Sequence, residues 1–346
     1  MAHEDPKETL DCQAACAHEA PSGTVLEEAG CVQPASSLLF DPNFYQKRKK
    51  GKLRLIPAPV LEAPVADTHA HLEMLENPAA NLARCAVHGV TFVCAMCDPA
   101  EDANATFDSL ESWREDALRI LRESGFGHYA HRVPRLRIAM GVHPHNAKDY
   151  TPECRETLLC RLKDPRVCAL GEVGLDYHYD FSPREIQREV FRDQVRIAHE
   201  TGLPLVLHMR EAHEDGLAIL REEGFPEAGT LLHCFNLDSA ALEPWAEAGC
   251  FIAYGGPITF KKAEEVREGA QHVSQNRLLT ETDSPYMTPE PMRGSVCGPE
   301  HTVFSAAVMA QVRGAQPGSE RAGFLSTVYQ NALGLLDREA TPWQRG

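Results

Sequence analysis

Pro64-Val65-Ala66-Asp67-Thr68-His69-Ala70-His71 reads as a short buried strand that runs out into polar side chains. Residues two apart on a strand point the same way, so Asp67, His69 and His71 are expected on one face. Two imidazoles and a carboxylate converging at a strand end suit a divalent metal. Each neutral His offers one ring nitrogen, and a neighbouring acid orients a ring or adds an oxygen ligand. A run of this kind also occurs by chance, so its meaning depends on the partners the rest of the chain supplies.

Downstream of this stretch the chain alternates regularly. Apolar, β-rich runs fall at 65–67, 90–96, 136–142, 167–170, 203–207, 230–232, 251–254 and 278–279. Segments rich in Glu, Arg, Ala and Leu separate them, at 75–88, 101–124, 152–163, 183–200, 211–223, 237–248 and 262–276, with two more at 299–313 and 319–336. The fourth gap has the clearest helix signals. Ser182 is placed for an N-cap, Pro183 for the first helical position and Glu185 for the capping box, while Gly202 closes the segment. Eight strands alternating with helices predict a parallel (β/α)8 TIM barrel, with a doubly wound open sheet as the other reading. The barrel needs roughly 250 residues, and 61–340 accommodates it. Polar residues favour the barrel, because nearly every apolar run ends in a chemically capable side chain, where that fold keeps its chemistry.

Residues 1–60 read as a separate N-terminal extension, poorly ordered or packed on the barrel. Acids and small residues dominate up to Ala35, with Cys12, Cys16 and Cys31 scattered among them. A basic cluster follows, Lys47-Arg48-Lys49-Lys50-Gly51-Lys52, either a solvated charge run or a guide for an anionic substrate. The chain has 346 residues, is 43% hydrophobic and contains no apolar run long enough to span a bilayer. The polar, acidic start shows no secretory signal, so a cytoplasmic location and reduced thiols are expected for the 12 Cys. Cys94 and Cys97 lack a second pair at zinc-finger spacing and read as packing residues. The formal net charge of −16 argues against wrapping long duplex nucleic acid, yet leaves room for a small footprint where bound cations supply positive charge.

The strand ends carry the chemistry. The first delivers Asp67, His69 and His71, the third His143 and His145, and the fourth Glu172, Asp176 and Tyr177. The fifth delivers His208 and Arg210, the sixth His233, and the eighth Glu281 and Asp283. In a closed barrel these ends face one small space, and several His with two carboxylates exceed what one metal needs. The ordered motifs Asp-x-His-x-His, Gly-Val-His-Pro-His, Gly-Glu-Val-Gly-Leu-Asp-Tyr, Leu-His-Met-Arg, His-Cys-Phe and Glu-Thr-Asp-Ser-Pro-Tyr resemble the TatD family of metal-dependent deoxyribonucleases, in the amidohydrolase-like barrel superfamily. The stretches 187–194 and 256–261 and the pair Asn331-Ala332 extend the resemblance, which covers 64 to about 336.

The resemblance implies that His69, His71 and Asp283 hold one divalent ion, that His208 and His233 hold a second, and that Glu172 bridges them. It implies hydrolysis of nucleic-acid phosphodiesters by a metal-activated water, often as a 3′-to-5′ exonuclease on single strands. Magnesium or manganese fits that activity, whereas the His-rich donor set by itself favours zinc or another transition metal. Asp283 and Glu172 are the expected catalytic carboxylates, with His143 and His145 as donors to the phosphate or leaving oxygen. Lys261, Arg293 and Arg210 are candidates for phosphate charge, and Tyr177 for a base or a phosphate. At 294–300 the chain departs from the family pattern, which leaves substrate preference open. A small-molecule amidohydrolase, esterase or lactonase on the same barrel is the alternative.

Overall fold

The fold is a barrel that closes through side chains as well as backbone. A computed structural model describes residues 39–346 except residue 102. The extension up to residue 38, with Cys12, Cys16 and Cys31, lies outside the described residues. Two short antiparallel strands come first, β1 (Phe44–Lys47) and β2 (Leu53–Ile56). The barrel strands are β3 (Val65–Ala70), β4 (Val90–Cys97), β5 (Arg135–Met140), β6 (Val167–Asp176), β7 (Leu205–Arg210), β8 (Thr230–Leu232), β9 (Phe251–Tyr254) and β10 (Leu278–Thr280). They pair in sequence order, each parallel to the next. The closing seam joins β3 to β10. Thr68 Oγ1 donates to the Thr280 carbonyl at 3.0 Å, Thr280 Oγ1 donates to that of Ala66 at 2.7 Å, and the Asp283 N–H donates to that of His69 at 2.9 Å.

The helices between strands are α1 (Pro78–His88), α2 (Ala103–Glu123), α3 (Pro152–Arg161), α4 (Arg184–Thr201), α5 (His213–Glu223), α6 (Ser239–Glu247) and α7 (Glu264–His272). After β10 come α8 (Thr302–Val312), α9 (Ser319–Leu336) and α10 (Pro342–Arg345). Alternate strand residues separate two cores. Ala66, Phe92, Cys94, Met96, Cys168 and Val206 form one, joined by Ala332, Leu335 and Leu336 of α9. Val65, Val93, Ile138, Val167 and Leu205 belong to the larger layer shared with the helices. The thiols of Cys94 and Cys168 meet at 3.8 Å inside the first core, and Cys97 is also buried, so these cysteines pack as expected.

Three local expectations need correction. The fourth barrel strand extends well past residue 170, because a register shift between Leu170 and Val173 lets β6 continue beside β7. Glu172 therefore stands within a strand rather than beyond its end. Ser182 does not cap α4; its hydroxyl donates to the His145 carbonyl at 2.7 Å and accepts from the Lys148 N–H at 3.0 Å. Residues 44–56, expected only as part of the extension, form a hairpin. Phe44 anchors it against His88, His301 and Phe304, with ring centroids 4.5–5.0 Å apart. The cations of its turn stay exposed, and a cleft of about 720 Å³ is lined by Gln46, Lys47, Arg48, Lys49, Lys52 and Arg54.

The close approach of β6 to β7 requires glycine. At Gly174, φ is +147° and an added Cβ would fall 2.0 Å from the His208 carbonyl oxygen. Gly174→Ala is expected to destabilise the protein by about 1–3 kcal/mol, read as a lower urea midpoint. An unchanged midpoint would contradict this packing.

Candidate metal centre

The site residues are aimed by several different strand ends. His69 lies in β3 and His71 immediately after it, at the start of a short 3₁₀ turn. Glu172 and Asp176 lie in β6, His208 in β7, and His233 follows β8 with its N–H donating to the Leu207 carbonyl at 3.1 Å. Asp283 follows β10 in the left-handed region, φ 63°, a conformation Asp tolerates better than most residues. Two buried glutamines of α4 clamp the rim from outside. Gln194 accepts from the Val142 N–H and donates to its carbonyl, at 2.7 and 3.0 Å. Gln187 does the same for Asp176, at 2.8 and 3.1 Å. Seven residues apart, they share one helix face.

These elements converge on one carboxylate. Glu172 Oε2 faces His69 Nε2 at 3.1 Å and His71 Nε2 at 3.7 Å. Its other oxygen, Oε1, faces His208 Nδ1 at 2.7 Å, His233 Nε2 at 2.9 Å and His143 Nε2 at 3.6 Å. Asp283 Oδ1 lies 3.6 Å from His71 Nε2 and 3.8 Å from His69 Nε2. Ligand atoms of His69, His71 and Glu172 lie within 4.8 Å of one another, as do those of Glu172, His208 and His233 and those of His69, His233 and Asp283. The six side chains expected to hold metal are thus together, and nitrogen and carboxylate donors in this number suit divalent cations.

Burial opposes charge throughout the cluster, and mutual attraction restores it. Burial disfavours ionised Glu172, but His233, His69 and His143 outweigh it and hold the carboxyl well below its usual range. Asp283 is likewise lowered against its burial by His71, His233 and His69. Burial dominates at His69 and His143, pulling them down to about 4 and about 3. At His208, hydrogen bonds to Asp176 and Glu172 overcome burial and raise the imidazole to about 9. His71 and His233 are likewise raised against burial by the neighbouring carboxylates, so positive charge is favoured among these anions, and a bound cation would supply it.

Four residues outside the expected ligand set support it. Asp176 Oδ2 contacts His145 Nε2 at 2.8 Å and His208 Nε2 at 3.1 Å, which turns His208 Nδ1 toward Glu172. Glu281 accepts from the Cys234 N–H at 2.6 Å under His233, and burial raises it to about 8. Asp67 does not join the converging group. Its carboxylate accepts from the Thr282 hydroxyl at 2.6 Å, the Thr282 N–H at 2.9 Å and the His69 N–H at 3.2 Å. Bulges in β3 break the simple alternation that would have put it beside His69. Glu73 lies 3.7 Å from His71 Nδ1. Asp67, Asp176 and Glu281 each follow an apolar run, a signal visible in the sequence.

The substrate candidates are placed as follows. Lys261 and Arg293 are exposed, with the Arg293 guanidinium 4.2 Å from the Phe260 ring centre. Arg210 lies 4.7 Å over the Tyr179 ring. The Tyr177 hydroxyl donates to Asp215 at 2.6 Å and accepts from Arg188 at 3.1 Å, so its polar end is bound to helix residues. The departing loop is packed, with the Cys297 N–H on the Pro285 carbonyl and Glu300 accepting from the Asn81 amide at 3.0 and 3.1 Å.

Residues 66–336 match the family described as TatD related DNase. The chain belongs to this family. Among TatD relatives, the uncharacterized metal-dependent hydrolase YabD of Bacillus subtilis is 39% identical over 175 residues, 51% of this chain and 69% of that protein. The 3′-5′ ssDNA/RNA exonuclease TatD of Erwinia tasmaniensis is 38% identical over 154 residues, 44% of this chain and 60% of that protein. The crystal structure of YJJV, a TatD homologue from Escherichia coli K12, superposes with a TM-score of 0.65 at 24% identity, covering 79% of this chain and 98% of that one. That likeness confirms the TIM barrel. No helix among the described residues is long and apolar enough to cross a membrane.

Asp67→Ala would strip acceptors from three buried donors, each worth roughly 1–3 kcal/mol when orphaned. A fall in stability of about 2–4 kcal/mol is expected from chemical denaturation. A change below about 0.5 kcal/mol, the size usual for surface substitutions, would show that Asp67 does not brace the seam.

Proposed function

We propose that this TatD-family metal-dependent hydrolase cleaves phosphodiester bonds of single-stranded nucleic acid, removing nucleotides from the 3′ end. One observation carries the reading: the two oxygens of Glu172 face two separate groups of imidazoles. That layout suits a bridging carboxylate between two divalent ions. His69, His71 and Asp283 would hold one ion, His208 and His233 the other. Such ions, when bound, lower the pKa of water and neutralise charge on phosphoryl oxygens.

The chain's own groups supply the proton handling. Asp283 is ionised at neutral pH, because His71 and neighbouring imidazoles lower it against burial, so it can accept the proton of the attacking water. His143 stays neutral at that pH, and its Nδ1 accepts from the His145 N–H at 3.2 Å, leaving Nε2 to carry the hydrogen. Nε2–H can then donate to a phosphoryl or leaving oxygen. His145 is oriented by Asp176 and serves the same rim. Exposed Lys261 and Arg293 meet the phosphate charge. Arg210 and Tyr177, engaged by protein partners, shape the wall. The acidic chain suits a short single strand better than a duplex, whose contacts require a broad basic surface. The description of the Erwinia relative as a 3′-5′ ssDNA/RNA exonuclease supports the same substrate class.

The test combines elemental analysis of the purified protein with turnover of 3′-labelled single-stranded oligonucleotides, against a panel of small esters, amides and lactones. Two divalent ions per chain and chelator-sensitive loss of 3′ nucleotides are expected. Turnover confined to the small molecules would overturn the nuclease reading. Glu172→Ala is expected to reduce both metal content and turnover, the latter by at least about a hundredfold. Wild-type rates in that variant would remove Glu172 from its bridging role.

A further inference from the structure

A ring stack stands beside the metal centre and has no part in metal binding. Tyr179 and Phe181 are parallel, with centroids 5.1 Å apart and an interplanar angle of 11°. The Arg210 guanidinium lies 4.7 Å from the Tyr179 ring centre, and Phe181 is 56% exposed. The His145 ring stands nearly perpendicular to both, with centroids 5.5 Å from Tyr179 and 4.8 Å from Phe181. From His145 the path to the centre is short: its ring lies 4.3 Å from that of His143, whose Nε2 is 3.6 Å from Glu172.

We infer that Phe181, backed by Tyr179, is a stacking platform for a nucleobase of the strand whose phosphate sits at the metal centre. The inference rests on the nuclease reading and adds how the base is held. A single exposed Phe is ordinary on a protein surface. This one is distinguished by its rigid mounting. Asp176 Oδ1 accepts from the N–H groups of His178 and Tyr179, each at 2.9 Å, while Oδ2 holds His145 and His208. One buried carboxylate therefore sets both the turn that carries the platform and a histidine of the centre. Asp180 and Arg184 pair at 2.7 Å beside the same turn, and Ser182 ties it to the His145 segment. Lys148 Nζ reaches the Phe181 carbonyl at 3.3 Å, bringing a cation to the platform's edge where a nucleotide's phosphate can meet it. A π-face accepts any base, so this platform gives affinity and register without sequence preference. Preordered rings also lose little entropy when a base docks.

The experiment uses the full chain and its Phe181→Ala, Phe181→Leu and Phe181→Tyr variants. With the metal-loaded protein, single-stranded oligonucleotides with hydrolysis-resistant phosphorothioate linkages and 2-aminopurine near the 3′ end report stacking through fluorescence quenching. Quenching is expected with the wild type and Phe181→Tyr, and its loss with Phe181→Ala and Phe181→Leu. With metal, the ratio of kcat/KM for a 3′-terminal nucleotide over a 3′-terminal abasic analogue is measured. That ratio is expected to fall roughly tenfold or more in the Ala and Leu variants and to survive in Tyr. Undiminished quenching and an unchanged ratio in Phe181→Ala would overturn the platform, as would wild-type behaviour of Phe181→Leu, which keeps apolar bulk but no π-face. If quenching follows the expected pattern while no oligonucleotide is cleaved, the platform stands and the hydrolytic reading falls. Cleavage that ignores both the base and Phe181 gives the reverse result.

Discussion

A buried carboxylate cannot stay ionised in an apolar interior without compensating charge or hydrogen bonds. Glu172 meets that condition with imidazoles from four other barrel strand ends, and much of the structure follows from keeping them there. The carboxylate lies in β6, in the middle of the chain, while His69 and His71 come from the first barrel strand and Asp283 from beyond the last. Only a closed barrel brings those ends to one point. Closure itself is partly made by the site's supports, since Thr282 is held by Asp67 across the seam and Asp283 donates to the His69 carbonyl. The contacts that close the barrel are thus among those that place the donor set.

The acids around Glu172 divide the work. Asp67 braces the seam, Asp176 orients His145 and His208, and Glu281 sits beneath His233. None belongs to the expected ligand set, yet each constrains a residue that does. Gln187 and Gln194 of α4 add a second layer by binding backbone at the ends of β6 and β5. Polar side chains on the inner face of an amphipathic helix carry a desolvation cost unless they are bonded, and these are bonded at both ends of the amide. The candidate metal centre is thus braced by hydrogen bonds from groups outside the expected ligand set, which is the usual requirement for a stable donor geometry.

The alternation of apolar runs with helical segments was enough to locate the barrel strands and their helices, because binary pattern follows from burial alone. Gly202 ended α4 as expected, with its φ of 68° and its N–H on the Ala198 carbonyl. Local signals failed where a side chain had a stronger partner elsewhere. Ser182 is spaced for a cap but spends its hydroxyl on the His145 segment. The 44–56 hairpin has no clear local signal, because its strands are four residues each and its turn is crowded with charge. Its stability comes from Phe44 meeting rings far along the chain, a contact that no local pattern encodes.

By itself the order of residues supplied the candidate cation donors and their recurrence at the ends of apolar runs, since residue type and runs of apolar residues are local properties. It favoured the barrel over a doubly wound sheet because chemically capable residues gather at those ends. Which oxygen of Glu172 faces which imidazoles, why Asp67 turns to Thr282, and how Asp176 joins the Tyr179–Phe181 stack to His208 were decided only by tertiary structure. Those relations depend on strand register, on the β3 bulges and on closure between β3 and β10, and register is set by packing between elements far apart in the chain.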